Sequence, residues 1–391
     1  MTTDVRTPQL LSPALLRCFA AIAASAIAFY LPLSVVPMLA EQSGSAGAGN
    51  AGLATVALLL ATVAAGLATP RLVSRVGYRS ALGIGLVLLG APTIALTVSD
   101  STAVIIAVSV VRGAGFAICA VITNAITAKL IPADRRGEGL ALAGVVCGLP
   151  NLLALPAGVW VATHWGFAPV FAVAAAVPLG AVLCVPGLPR FAAPVTTGSG
   201  QSVIAGLRNA MLVRPSLIFA VSTAAAGVLV TFLPLAVGGA SACVAVAALL
   251  AQPAAATLAR WVAGRLGDRY GNARQLAPGL LLAATGMAAL ACTSVPAAVI
   301  GGALVFGAGF GVLQNATLTL MYAHAADGGE GAVSAIWNAA YDLGMAAGAL
   351  GAGLVAASAG YPAAFLLTAV VMLPAFVLIR RDRSAGDGTC R

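Results

Sequence analysis

"RLVSRVG", Arg71 to Gly77, recurs as "RLGDRYG", Arg265 to Gly271, 194 residues later. "RGAGF" at 112–116 recurs as "FGAGF" at 306–310 with the same offset. "GEG" at 137–139 returns at 329–331, and "LPL" at 31–33 returns at 233–235. In a chain with 45 glycines a single match of this kind means little. Four in the same order, at nearly constant offset, indicate an internal repeat.

What lies between these markers is apolar. Of 391 residues, 61% are hydrophobic and 8% charged. Soluble domains carry about 25% charged residues, so this chain cannot cover itself in water and lipid is its expected solvent. Apolar spans fall near 14–39, 49–69, 81–98, 102–128, 138–162 and 168–187, and then near 214–236, 241–262, 276–293, 296–322, 331–358 and 361–379. Crossing a bilayer core takes about 20 residues. Only helices or closed barrels satisfy the backbone there, and the strict alternation of barrel strands is missing. The expected fold is an all-α polytopic membrane protein of twelve transmembrane helices. They form two pseudo-symmetric six-helix bundles, 1–187 and 214–380, joined by a cytoplasmic linker at 188–213 and followed by a tail at 381–391. Within the linker, Val203, Ile204, Leu207 and Met211 have helical spacing beside Arg208 and Arg214. A short helix on the inner membrane surface and a plain linker both fit that pattern.

The basic residues orient the spans. Arg71, Arg75 and Arg79 lie between spans two and three, and Lys129, Arg135 and Arg136 follow span four. Arg190, Arg208 and Arg214 lie between spans six and seven. Arg260, Arg265, Arg269 and Arg274 lie around the loop after span eight, and Arg6, Arg17, Arg380, Arg381, Arg383 and Arg391 flank the two ends. All these segments fall on one side, while the opposite loops carry Glu41, Asp100 and His164. Of 20 basic residues only Arg112 escapes the pattern. By the positive-inside rule both termini are cytoplasmic. The net charge of +9 therefore reflects topology, and no nucleic-acid partner is expected. The small residues of the first span do not read as a signal-peptide cleavage site, because removing that span would break the charge pattern. The seven cysteines show neither metal-ligand spacing nor a disulfide framework, so no metal and no cofactor are expected.

Six helices per repeat, an even number, give both halves the same orientation, and parallel halves of this kind are a transporter architecture. The residues resemble the major facilitator superfamily over essentially the whole chain. "GRLGDRYGNAR", Gly264 to Arg274, is similar to the family's signature loop. Gly264, Asp268, Arg269 and Gly271 match it, while Asn272 and Ala273 replace a basic pair. In the first-half copy Arg75, Gly77 and Arg79 match, but Pro70 and Ser74 stand where a Gly and the Asp are expected. The resemblance implies gating loops here, with a cytoplasmic latch that is weaker in the first half. Arg112 with Gly113 and Gly115 resembles the family's span-four arginine motif, which is linked to proton coupling. Gly144, Gly148, Pro150, Pro156 and Gly158 loosely resemble the Gly-Pro pattern of its antiporters, with Leu149 splitting the usual Gly-Pro. "WNAAYDLG" and "DRRGEGLALAG" are similar to stretches of bacterial exporters of drugs, sugars or opine metallophores.

One carboxylate stands apart. Asp342 lies inside "WNAAYDLGMAAG", between Glu330 and Arg380 with no other charge between them. About ten residues into a span is about 15 Å of depth, near the middle of a core about 30 Å thick. Ser334, Asn338 and Asp342 are four residues apart and form a polar stripe. Gly344, Gly348 and Gly351 lie roughly opposite and suit close helix packing. An ion in mid-membrane costs several kcal/mol unless it faces water or a partner. Burial disfavours the charged form of any carboxylate, which suits reversible protonation. The plainer alternative is a fixed ion pair or hydrogen bond between helices.

Arg112 is the only candidate cation at comparable depth, with Phe116, Thr123 and Thr127 on its face. It must find an anion, a carbonyl or water, so Asp342, a substrate and the backbone are all candidate partners. Asn124, Gln314, Asn315, Asn338, Trp337, Tyr341 and Phe116 are candidates to line a central cavity, or else to bond neighbouring helices. Trp160 and Trp261 read as interface anchors.

The expectation is a multi-pass transporter of the inner (cytoplasmic) cell membrane, acting as a monomer. It would exchange protons for a small organic molecule by rocking its two bundles, with Asp342 carrying the proton and Arg112 adjusting its affinity. Uptake of a small anion or nutrient, with Arg112 as substrate ligand, is the alternative. An enzyme should show clustered nucleophiles, metal ligands or paired acids at one depth, and a receptor a sizeable soluble module; neither is visible in the sequence.

Overall fold

The structure is a computed structural model that describes residues 12–42, 48–130, 136–191, 206–238, 242–324 and 330–379. Among these residues there are helices and turns and no strand. Helix α1 (Pro13–Tyr30) begins where Ser12 Oγ accepts from Leu15 N at 3.2 Å, with Pro13 in the first turn. A turn over 31–34 leads to α2 (Val35–Gln42), so the first expected span consists of two helices. The second and third spans lie in α3 (Ala48–Gly90), which the non-helical Gly77 divides into two helices at a kink. Then come α4 (Thr102–Leu130), α5 (Arg136–Trp165) and α6 (Phe167–Ala181), which passes into a 3-10 segment, Val182–Gly187.

The second half opens with α7 (Ala210–Val237), capped by Asn209, whose Oδ1 accepts from Met211 N at 3.0 Å. It continues with α8 (Ala242–Tyr270), α9 (Leu276–Leu290), α10 (Pro296–Ala323), α11 (Glu330–Ala359) and α12 (Tyr361–Met372). Among the described residues nine helical stretches are long and apolar enough to cross a membrane. One of them, Gly49–Thr97, accounts for two expected spans, and α9 has 15 residues, shorter than the usual crossing. The linker helix expected over 203–211 lies partly outside the described residues.

The repeat is written into the backbone. Gly77 (φ 76°, ψ 166°) and Gly271 (φ 87°, ψ 137°) are 194 residues apart and share a conformation that only glycine adopts readily. Gly166 (φ 85°, ψ 179°) and Gly360 (φ 81°, ψ 168°) are another such pair with the same offset, each opening the helix that follows. Packing repeats too. A Cβ on Gly115 would strike Leu89 N and Gly85 O, and one on Gly309 would strike Ala283 N and Gly279 O. Both contacts need glycine because the helix backbones touch.

The chain forms two compact units. The first comprises 1–32, 61–99 and 107–195. Its core joins Leu15, Phe19 and Ile22 of α1, Leu82 and Leu86 of α3, and Ile118, Ile122 and Ile126 of α4. The second comprises 33–60, 100–106 and 196–391. There α7 packs on α11, α8 and α9 pack on α10, and α12 touches α7, α9 and α11. Phe219, Phe232, Phe306 and Phe365 are fully buried in it, while Leu258, Leu281 and Leu354 are exposed. Apolar side chains on the outside are what a helix in lipid presents.

Candidate functional site

In the second unit the polar stripe of α11 forms as expected. Asn338 Nδ2 donates to Ser334 O at 2.8 Å, and Ser334 Oγ lies 3.4 Å from the same nitrogen. Asp342 follows one turn on and is half-buried. Within its own unit it makes no hydrogen bond among the described residues. Its helix is held on the other side by glycines: a Cβ on Gly344 would strike Thr223 Oγ1 and Ala220 O, and one on Gly348 would strike Ala224 O. Gly351 differs. A Cβ there would meet nothing within 4 Å, so it faces open space instead of α7. Thr223 Oγ1 also donates to Ala340 O at 3.2 Å, which ties α7 to α11 just before Asp342.

Beside the stripe lies an aromatic cluster. Trp337 stacks on Phe219 at 4.3 Å between centroids, and its Nε1 donates to Thr317 Oγ1 at 3.3 Å. Tyr341 lies 6.0 Å from Phe219 and 6.5 Å from Phe310. Trp337 is 9% exposed and thus a packed member of this cluster more than a free wall. Gln314 and Asn315 on α10 are half-buried, and Asn315 accepts at its carbonyl from Thr319 Oγ1 at 2.9 Å.

In the first unit Arg112 is 1% exposed. Its Nη2 donates to the Ala28 carbonyl of α1 at 3.0 Å, while its buried Nε has no partner among the described residues. Of the three partners open at the sequence level, a backbone carbonyl is the one this unit supplies. Phe116, one turn on, stacks on Phe29 at 3.8 Å and lies 6.4 Å from Tyr30. Further along the same face, Thr123 Oγ1 donates to Cys119 O at 2.8 Å, and Thr127 Oγ1 lies 3.4 Å from Cys18 Sγ. Asn124 points off this face and is exposed.

The signature loops form matching bends at Gly77 and Gly271. Ser74 Oγ donates to the Arg71 carbonyl at 2.8 Å, so in the first copy it serves its own turn. Arg79 donates to the Pro186 carbonyl. Arg75 and Arg269 are exposed, and Gly264 lies against Asn315. The side chain of Asp268 lies outside the described residues, as do the surroundings of Gly144. Gly148 has nothing within 4 Å of an added Cβ, and Pro150 is half-buried. In α5 the tight contact is made by Gly158 instead, against the Leu31 backbone.

Other contacts in the second unit had no signal in the sequence. The later part of the first span and the start of α3 are bound to helices of the C-terminal half. Ser34 Oγ donates to Val230 O at 2.6 Å, Thr55 and Thr231 share a hydrogen bond of 3.1 Å, and Tyr361 Oη donates to Glu41. Each pairs residues far apart in sequence, so spacing alone cannot find it. Among the described residues no group of three or more His, Cys, Asp or Glu is placed to hold a metal ion.

The described residues offer buried charge and glycine seams without clustered chemistry, and comparison with known proteins agrees with that character. No curated protein sequence matches the chain. Among solved structures, a mutant of the nucleoside transporter NupG superposes with TM-score 0.79 at 12% identity, covering 94% of this chain and 99% of its own. A bacterial homologue of the human lysosomal transporter Spinster, inward-facing and unoccupied, gives 0.78 at 15% identity, covering 95% and 97%. The xylose transporter XylE from E. coli, partially occluded and inward-open, gives 0.73 at 13% identity, covering 95% and 98%. These likenesses show a shared fold. The profile of the Major Facilitator Superfamily matches residues 18–349 and 240–389. With the 194-residue repeat seen in both loops and glycine seams, this makes the chain a multi-pass membrane transporter that belongs to the major facilitator superfamily.

Proposed function

We propose that the protein exports a small organic molecule in exchange for protons. The observation that carries this reading is Asp342, a lone half-buried carboxylate on a polar helix face, without a hydrogen bond to the described residues of its unit. A carboxylate so placed gains little from being ionised and can bind a proton reversibly. Asn338, Tyr341, Gln314 and Asn315 would shape the substrate cavity, and Trp337 would hold Tyr341 in place. Arg112, the span-four arginine, would adjust the protein's affinity for protons by its fixed positive charge. The bundles 1–187 and 214–380 would rock against each other in the cell membrane, with both termini cytoplasmic. Asp268 and its loop would close the cytoplasmic side.

The test begins with an efflux-deficient host screened against compound panels. The protein is then reconstituted in vesicles with an imposed pH gradient and the compound found. Asp342→Asn keeps shape and most hydrogen bonding but cannot titrate. It should still bind and exchange substrate down its own gradient, and lose pH-driven accumulation. Undiminished pH-driven accumulation in a stable Asp342→Asn protein would remove the assignment.

A second reading rests on Arg112. Its buried Nε lacks a partner among the described residues, and an anionic substrate would supply one. Uptake of a small anion follows from that reading. It predicts that substrate and proton enter vesicles together, where export predicts opposite directions.

A further inference from the structure

The first unit carries a cleft of about 340 Å³ that the transport reading does not use. It is lined by Arg79, Ser80, Gly83, Val185, Pro186 and Arg190. One wall is the part of α3 just beyond the bend at Gly77; the other is the 3-10 segment that ends the sixth span. This is the arginine-rich side of the molecule, at the end of two spans, where headgroups and water meet.

Two guanidinium groups, those of Arg79 and Arg190, line the cleft, and a third, that of Arg17, lies next to it. Arg79 donates to the Pro186 carbonyl, and Arg17 Nη1 donates to the neighbouring Gly187 carbonyl at 2.8 Å. Arg190 lines the cleft and is exposed. Each guanidinium has five N–H donors, so most remain available. Among the described residues no carboxylate pairs with Arg79 or Arg190. The Ser80 hydroxyl adds a neutral donor. A rim of this kind suits a phosphate ester, whose oxygens accept several hydrogen bonds at once.

The surface beside the cleft separates a lipid from a free phosphate. Ser80, Ile84 and Val87 lie at helical spacing on one face of α3, so an apolar track leads directly away from the hydroxyl. Ile84 is 39% exposed, Val87 42% and Leu183, in the 3-10 segment, 83%. Gly83 keeps the entrance open, because a Cβ there would meet nothing within 4 Å. A soluble anion would satisfy the rim and leave that track bare. A phospholipid covers both. Basic pockets between spanning helices on the cytoplasmic side are suited to anionic headgroups.

We propose that this cleft binds an anionic phospholipid, with Arg79 and Arg190 on its phosphate, Ser80 beside them, and an acyl chain along Ile84, Val87 and Leu183. The proposal is independent of the transported substrate. The full chain, purified in detergent, is titrated with phosphatidylglycerol, phosphatidylcholine or inorganic phosphate, and bound species are counted by native mass spectrometry. Phosphatidylglycerol should bind in preference to phosphatidylcholine and resist displacement by millimolar phosphate. Arg190→Gln should weaken phosphatidylglycerol about fivefold, the worth of one arginine near an anionic surface. Gly83→Leu fills the cleft without touching backbone or charge and should reduce retention at least as much. Equal retention of the two lipids, displacement by inorganic phosphate, or wild-type retention in Gly83→Leu would each overturn the proposal.

Discussion

Arg112 is the residue whose presence is hardest to explain by stability. A buried guanidinium gives up its hydration, and one hydrogen bond to the Ala28 carbonyl returns little of it while Nε stays unpartnered among the described residues. Replacing even a buried ion pair by apolar side chains of similar volume is often neutral or stabilising by about 1–4 kcal/mol, because the desolvation cost disappears. Arg112→Met should therefore melt at or above the wild-type temperature in detergent, yet lose pH-driven transport. Arg112→Ala should lose both, because truncating this fully buried side chain opens a cavity at a cost of about 2–5 kcal/mol. A clear drop in melting temperature for Arg112→Met would make the arginine structural. At this scale the sequence was legible where charge is rare. Asp342 and Arg112 stand out because nothing like them lies nearby. It was silent about partners: Ala28 as acceptor, Thr317 for the Trp337 indole and Glu41 for Tyr361 are tertiary choices that no local spacing encodes.

Helices in lipid gain nothing from burying leucine against leucine, so close contact depends on small residues. The α7–α11 seam shows it. Gly344 and Gly348 let α11 lie against the Ala220–Ala224 backbone, whereas Gly351, one turn further, has left that seam. Gly348→Val should force the helices apart and cost about 1–3 kcal/mol of stability, as overpacking does. Gly351→Val should cost less than about 0.5 kcal/mol, the usual range for a site away from packed contacts. Thermal melting of both variants in one detergent checks this; equal losses would mean the seam is not set by glycine. The spans, the repeat and the Gly344–Gly348 part of the glycine face of α11 were visible in the sequence, because periodicity follows from helix geometry; that Gly351 lies off the face was hidden. That a single positive-φ glycine, Gly77, makes the break between spans two and three was not visible, since a kink and a longer loop look alike in composition. The Gly166–Gly360 pair was also missed, although its 194-residue offset is plain once both are seen to open helices in the same left-handed geometry.

The orientation of the whole molecule is expected from its basic residues. Nineteen of the 20 fall on one side of the expected spans, and this is the basis for expecting cytoplasmic termini. Native cysteines already give a readout. Cys243, at the start of α8, and Cys292, just after α9, are exposed and lie at the ends of spans that this orientation makes external. An impermeant maleimide added to sealed cells should therefore label the wild-type protein, and Cys243→Ser with Cys292→Ser should abolish that signal. In this background Asp100→Cys, an exposed site before α4, should restore labelling from outside. Arg269→Cys, exposed at the end of α8, should react only after the membrane is opened. The two probes lie at opposite ends of their spans, so one experiment tests the sign of the charge rule and the number of crossings between them. Labelling of Arg269→Cys in sealed cells, with Asp100→Cys silent, would invert the molecule. Labelling of both from outside would mean that the crossings between Asp100 and Arg269 are even in number, and the repeat would no longer account for the topology.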